Sequence, residues 1–149
     1  MKQQQSTDRY ILIVEDSRVD YEITTRALKK AGIERSILRC EDGDEALDFL
    51  NDHESRQGDG HPSMILLDLN LPGTDGRTVL QQIKNHDALK NIPVVVLTTS
   101  NNEHDIAACY ESGANSYVRK PSAPDDYVAM AEALKAFWFD WATLPGEVC

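Results

Sequence analysis

Met64-Ile65-Leu66-Leu67-Asp68 decides the fold: four consecutive apolar residues end in a lone carboxylate, and a helix pattern begins after Gly76. Continuous runs of this kind suit central parallel strands covered on both faces. The same design recurs on either side. Tyr10-Ile11-Leu12-Ile13-Val14 runs into Glu15-Asp16, Val94-Val95-Val96-Leu97 into Thr98, and Ser116-Tyr117-Val118-Arg119 into Lys120-Pro121. In an open parallel sheet these ends share one edge, where ligands bind at the point of strand-order reversal. Glu15, Asp16, Asp68, Thr98 and Lys120 are therefore expected in one pocket.

Strand and helix patterns alternate five times, which marks a doubly wound α/β domain with helices on both faces of the sheet. The first helix is expected from about Val19 to Ala31, with Val19, Ile23, Ala27 and Ala31 recurring at i+4. A short strand, Ser36 to Cys40, leads to a helix from Gly43 to about Asp52. The third helix follows Gly76, with Val79, Leu80 and Ile83 inward. The fourth spans about Glu103 to Ser112, and the fifth begins near Pro124-Asp125 and continues to Trp141. His53 to Ser63 is a polar, Gly-containing loop. Residues 1–8 read as a flexible lead-in, 9–141 as one domain and 142–149 as a tail.

On the fifth helix, Tyr127, Met130, Ala131, Leu134, Phe137, Trp138 and Trp141 fall on one stripe at α-helical spacing, expected to face the core. Val128 and Phe139 fall on the opposite side. Two readings of Phe139 stay open: an ordinary exposed apolar residue, or part of a contact with a partner or second copy, together with Leu144-Pro145.

The chain has 149 residues, enough for one domain with a proper core. Its 25 acidic and 15 basic residues give a formal net charge of -10. Such a surface repels phosphate backbones, and no concentrated basic patch offsets it, so nucleic acid is excluded as a partner. No apolar run approaches the ~20 residues needed to cross a bilayer, which excludes a membrane span. The first residues lack the apolar core of a signal peptide. Cys40, Cys109 and Cys149 are odd in number and far apart, which points to the reducing cytoplasm. His53, His61, His86 and His104 lack metal-ligand spacing.

Electrostatics bears on the pocket. Two unit charges ~4 Å apart repel by about 4 kcal/mol at an effective dielectric of about 20. Three carboxylates therefore call for Lys120 and a hard divalent cation, and Mg²⁺, or Mn²⁺, suits carboxylates plus a phosphate. With a cation and a lysine beside it, an Asp can act as a nucleophile toward phosphorus. Asp68 is the best acceptor because it stands alone at the end of a central strand. Glu15 and Asp16, being adjacent, are better placed to hold metal. Lys120 and Thr98 would contact phosphoryl oxygens. Each residue has a bland explanation singly; in register at successive strand ends they do not.

The motifs Val14-Glu15-Asp16-Ser17, Leu67 to Gly76, Leu97-Thr98 and Gly113 to Pro121 resemble those of response-regulator receiver domains of two-component signalling. The likeness covers about Arg9 to Trp141. It implies a flavodoxin-like five-stranded sheet of order 2-1-3-4-5, and a phosphoacceptor switch rather than a turnover enzyme. Asp68 would accept a phosphoryl group from a histidine kinase. Asp16, Asp68 and the backbone carbonyl of Asn70 would ligate the metal, with Glu15 acting through water. Thr98 and Tyr117 would form the switch pair, and Lys120-Pro121 would be cis. Thr99 departs from the small alanine usual after the switch threonine.

More narrowly, Asp68 to Pro72, Val96 to Ser100, the loop at 53–63 and the C-terminal aromatics resemble stand-alone receivers that work with phytochrome-type kinases. Such relatives imply self-association through the fourth helix, fifth strand, fifth helix and tail. Another kinase or a phosphorelay is the alternative. A flavodoxin-like electron carrier is disfavoured because Glu15-Asp16 would repel a flavin phosphate. An Asp-nucleophile phosphohydrolase would want an acid where Asn70 stands.

Overall fold

The computed structural model describes residues 9–52 and 60–146. The expectations for residues 1–8, for 53–59 of the polar loop and for Cys149 lie outside them. The strands are β1 (Ile11–Val14), β2 (Ile37–Cys40), β3 (Met64–Leu67), β4 (Val94–Thr98) and β5 (Ser116–Arg119). All pair in parallel in the order β2-β1-β3-β4-β5. The helices are α1 (Arg18–Lys30), α2 (Gly43–Asn51), α3 (Gly76–Asn85), α4 (Glu103–Glu111) and α5 (Pro124–Leu134). The expected fold class and strand order hold, with element ends displaced by a residue or two.

Alternate strand residues feed two cores, as period-two geometry requires. Leu12, Val14, Ile65, Leu67, Val94 and Val96 pack with α2, α3 and Cys109 of α4 on one face. Ile11, Ile13, Met64, Leu66 and Val95 pack with α1 and α5 on the other. On α1 the buried residues are Thr24, Ala27 and Leu28. Val19 is 64% exposed, so the inward stripe is shifted from the expected i+4 series.

The C-terminal helix departs further. After Leu134 it continues as a π-helical segment, Lys135–Trp141, closed by the Ala142 N–H donating to the Phe137 carbonyl at 2.8 Å. An α-helix turns about 100° per residue; i→i+5 bonding turns only about 80°. Counted from buried Leu134, Phe139 then falls about 40° from the core direction instead of about 140°, and Trp141 is carried to the far side. Phe139 and Trp138 accordingly pack against the α1/α5 core, with the Arg35 guanidinium 4.4 Å from the centre of the Phe139 ring. Phe137 is 59% and Trp141 83% exposed. The expected inward stripe is thus corrected at Phe137 and Trp141. The expected outward Phe139 and Val128 are also corrected, since both pack on the core. Leu144 is buried against its own chain.

Two contacts place α3. A Cβ at Gly76 would press on the Asp68 carbonyl oxygen and come within 2.6 Å of Leu69 Cα, so glycine lets α3 start directly against the end of β3. Arg77 then forks onto Asp105 of α4, Nε to Oδ1 and Nη2 to Oδ2 both at 2.8 Å. The Arg77 hydrogen bond, with help from Ser100, holds the Asp105 carboxyl at about 2, below its ordinary 3.8.

Gly76→Ala should destabilise the protein by about 3 kcal/mol or more, because both neighbours are backbone and cannot rotate away. Urea unfolding measures this, and a loss below about 1 kcal/mol would contradict the close approach. A depressed carboxyl pKa stabilises the fold above pH 3.8 and stops doing so as pH falls through about 2. The stability gap between wild type and Arg77→Met should therefore be full at neutral pH and shrink as pH falls from 3.8 through about 2. A gap unchanged across that range would show that Asp105 is not the partner that matters.

Candidate functional site

Backbone pairing sets the pocket. The Asp68 N–H donates to the Val14 carbonyl at 3.1 Å, which brings the ends of β3 and β1 together. The Lys120 N–H donates to the Thr98 carbonyl at 2.7 Å and does the same for β5 and β4. β1 is flanked by β2 and β3, so the pocket sits where the strand order reverses.

Lys120 occupies its centre. The side chain is 4% exposed, and Nζ lies 2.7 Å from Glu15 Oε1, 2.8 Å from Asp20 Oδ2 and 3.0 Å from Asp68 Oδ2. An ammonium has three donors, and here each meets a carboxylate. Burial works against the charge, but Asp20, Glu15 and Asp68 outweigh it and hold the Lys120 pKa above its ordinary value. Glu15 responds oppositely. Burial, with the neighbouring Asp68 charge, pushes its carboxyl up to about 7 against the pull of Lys120.

Each acid is also held from the backbone. Glu15 Oε2 accepts from the Ser17 N–H at 3.1 Å, and Asp68 Oδ1 accepts from the Leu69 N–H at 2.7 Å and, more weakly, the Asn70 N–H at 3.4 Å. Arg39 of β2 braces the acidic pair, donating to the Glu15 carbonyl at 3.0 Å and the Asp16 carbonyl at 3.1 Å. Glu15 and Asp68 are buried while Asp16 is exposed, and one oxygen from each lies within 4.8 Å of the others. Three converging carboxylates against a single lysine, itself shared with Asp20, leave negative charge in excess. Oxygen donors of this kind fit a hard divalent cation.

Thr98 is fully buried, and its Oγ1 accepts from the Ser100 N–H at 3.5 Å. Tyr117 is half-buried; it joins the pocket at one remove, its hydroxyl donating to the Ser100 carbonyl at 2.9 Å. Asn70 is exposed on the rim. The Lys120–Pro121 bond, expected cis, is trans: no peptide bond among the described residues is cis. The trans form is favoured by about 0.5–1 kcal/mol even before proline, and Lys120 reaches all its carboxylates with it.

Sequence reading did not single out Asp20 or Arg39. Asp20 had a signal: Ser17 caps α1 by accepting from the Asp20 N–H at 3.1 Å, the reach of an S-x-x-D capping pattern. Arg39 had none, since its partners are carbonyls set by tertiary pairing.

Residues 11–132 match the family model of the response regulator receiver domain. The chain is 41% identical over 145 residues to the response regulator Rcp1 of Synechocystis sp., covering 97% of this chain and 99% of that protein. The solved Mn²⁺-bound form of Rcp1 is similar at a TM-score of 0.83 and 42% identity, over 92% of this chain and 99% of that one. The phosphorylated cyanobacterial phytochrome response regulator RcpA gives 0.85 and 37%, over 93% and 99%. Matching motifs, sheet order and acidic pocket agree, and the chain belongs to the response-regulator receiver family.

Proposed function

We propose that Asp68 accepts a phosphoryl group from the phosphohistidine of a phytochrome-type histidine kinase. An Asp68 oxygen attacks phosphorus in line, the P–N bond breaks, and the electron pair leaves with the imidazole. The observation that carries this reading is the buried Asp68 carboxylate, 3.0 Å from a lysine ammonium and beside Glu15 and Asp16. The protein catalyses this transfer, and the later hydrolysis, on itself; it does not turn over a separate substrate. Phosphoryl transfer needs positioning and charge neutralisation more than covalent help.

Asp16, Asp68 and the Asn70 backbone carbonyl would hold Mg²⁺ or Mn²⁺, with Glu15 reaching it through water. Such a cation would neutralise the oxygens of the transferring group. Lys120 pairs with one of those oxygens and the Thr98 hydroxyl donates to another. Thr98 and Tyr117 report the change to the surface of α4, β5 and α5. The kinase assignment draws on the likeness to RcpA, a cyanobacterial phytochrome response regulator. Residues 9–141 form the receiver between a lead-in and a tail, working in the cytoplasm. No described helix is long and apolar enough to cross a membrane.

The phosphorylated protein pairs with a second copy through α4, β5, α5 and the C-terminal residues. Phe137, Trp141 and Tyr110 supply exposed apolar surface there. Phe139, covered by Arg35 and the core, does not contribute.

Incubation with a labelled cognate kinase and Mg²⁺ should label the wild type and leave Asp68→Asn unlabelled. Wild-type labelling of that variant would remove the acceptor assignment. Chromatographic mass should double on adding beryllofluoride and Mg²⁺ to wild type, and stay monomeric in a Phe137→Ser, Trp141→Ser variant. A wild type that stays monomeric would remove the dimer and leave the acceptor reading standing.

A further inference from the structure

The three acids of the pocket are not held equally. Glu15 is fixed by Lys120 at 2.7 Å and by the Ser17 N–H at 3.1 Å. Asp68 is fixed by Lys120 at 3.0 Å and by the Leu69 N–H at 2.7 Å. Both are buried, whereas Asp16 is exposed. Packing therefore does not set where the Asp16 carboxylate points, and its own backbone must orient it. That backbone lies past the end of β1 and before the start of α1.

Arg39 fills this gap from the neighbouring edge strand. Its register with Ile13 puts it on the same side of the sheet as Ile37, facing α1. Nε donates to the Glu15 carbonyl at 3.0 Å and Nη2 to the Asp16 carbonyl at 3.1 Å. The guanidinium carbon lies 5.1 Å from the centre of the Tyr21 ring, and the Tyr21 N–H donates to the Ser17 carbonyl at 2.9 Å. One planar group, stacked on an aromatic face, thus ties β2 to the β1–α1 connection and to α1.

A guanidinium beside two acids ordinarily pairs with their carboxylates. Arg39 instead donates to their carbonyls, and its ion pair among the described residues is with Glu41 at 3.7 Å. By charge alone Arg39 would repel a cation from the pocket. As a brace it would favour one, by holding oxygen ligands in place. The two roles have opposite signs.

We propose that Arg39 is a positioning residue that makes the pocket selective for Mg²⁺ over Ca²⁺, by fixing the backbone that carries the Asp16 carboxylate. This inference rests on the reading of Asp16 and Asp68 as cation ligands. Mg²⁺ demands near-ideal octahedral placement, while Ca²⁺ accepts about six to eight oxygens in flexible geometry. A support behind the ligands therefore matters more to Mg²⁺. Losing such a support costs about 10- to 100-fold in metal affinity.

Calorimetric titration of the full chain with Mg²⁺ and with Ca²⁺, at about 0.15 M salt to screen distant charges, tests this. Binding should be lost in Asp16→Asn. Arg39→Met and Arg39→Lys should each bind Mg²⁺ about 10-fold more weakly, with Ca²⁺ affinity within about 3-fold of wild type. Lysine keeps the charge but cannot span two carbonyls. Tyr21→Leu, which removes the stacking face and leaves Arg39 in place, should shift the ratio the same way by a smaller factor. That variant carries the test if the Arg39 variants fail to fold. Tighter Mg²⁺ binding in Arg39→Met but not in Arg39→Lys would show that charge acts rather than placement. Equal loss for both cations would show a merely structural role. Either result overturns the proposal. Wild type that binds neither cation, or binding that survives Asp16→Asn, removes the metal reading and the proposal together. Wild type that binds both, beside variants with an unchanged ratio, removes the proposal alone.

Discussion

The Lys120 ammonium, buried among carboxylates, is the interaction on which the pocket depends. A charge almost removed from water survives in a fold only when its donors are matched. Here the partners come from the end of β1, the first turn of α1 and the end of β3, while the lysine follows β5. One side chain therefore binds four segments of the doubly wound sheet at a single edge. The same grip holds the buried Asp68 carboxylate while Asp16 stays open to solvent.

Around that centre the supports differ in kind. Backbone bonds fix the register of strand ends, and side chains then trim the geometry: Ser17 holds Glu15, and Arg39 braces the carbonyls of the acidic pair. Beside the pocket, Ser100 is held separately, through Asp105, by the Arg77 fork. The pocket and Tyr117 meet at the short segment from Thr98 to Ser100, through a 3.5 Å bond from the Ser100 N–H to Thr98 and a 2.9 Å bond from the Tyr117 hydroxyl to the Ser100 carbonyl.

In the C-terminal helix a local change of pitch redirects which aromatics are exposed. Seven residues of π-helical winding swap which aromatics face inward. Phe139 packs half-buried against the core and Trp141 becomes surface, so the exposed apolar area differs from the one that α-helical spacing implies. No residue type marks that change of winding, because it is decided by how Phe139 and Trp138 fit against α1 and Arg35.

Strand order, helix order, the two-faced core and the convergence of Glu15, Asp16, Asp68, Thr98 and Lys120 were legible from the sequence. The strand order follows from the family resemblance, and the rest from short-range periodicity and from the rule that parallel strand ends share an edge. Asp20 as a partner of Lys120, the trans Lys120–Pro121 bond, the turned C-terminal stripe and the Tyr117 bond to Ser100 were decided by tertiary structure alone. Asp20 and Lys120 are 100 positions apart, and no local pattern links them. Packing brings such groups together, and only then can charge, pitch and hydrogen-bond geometry choose among arrangements the sequence leaves equal.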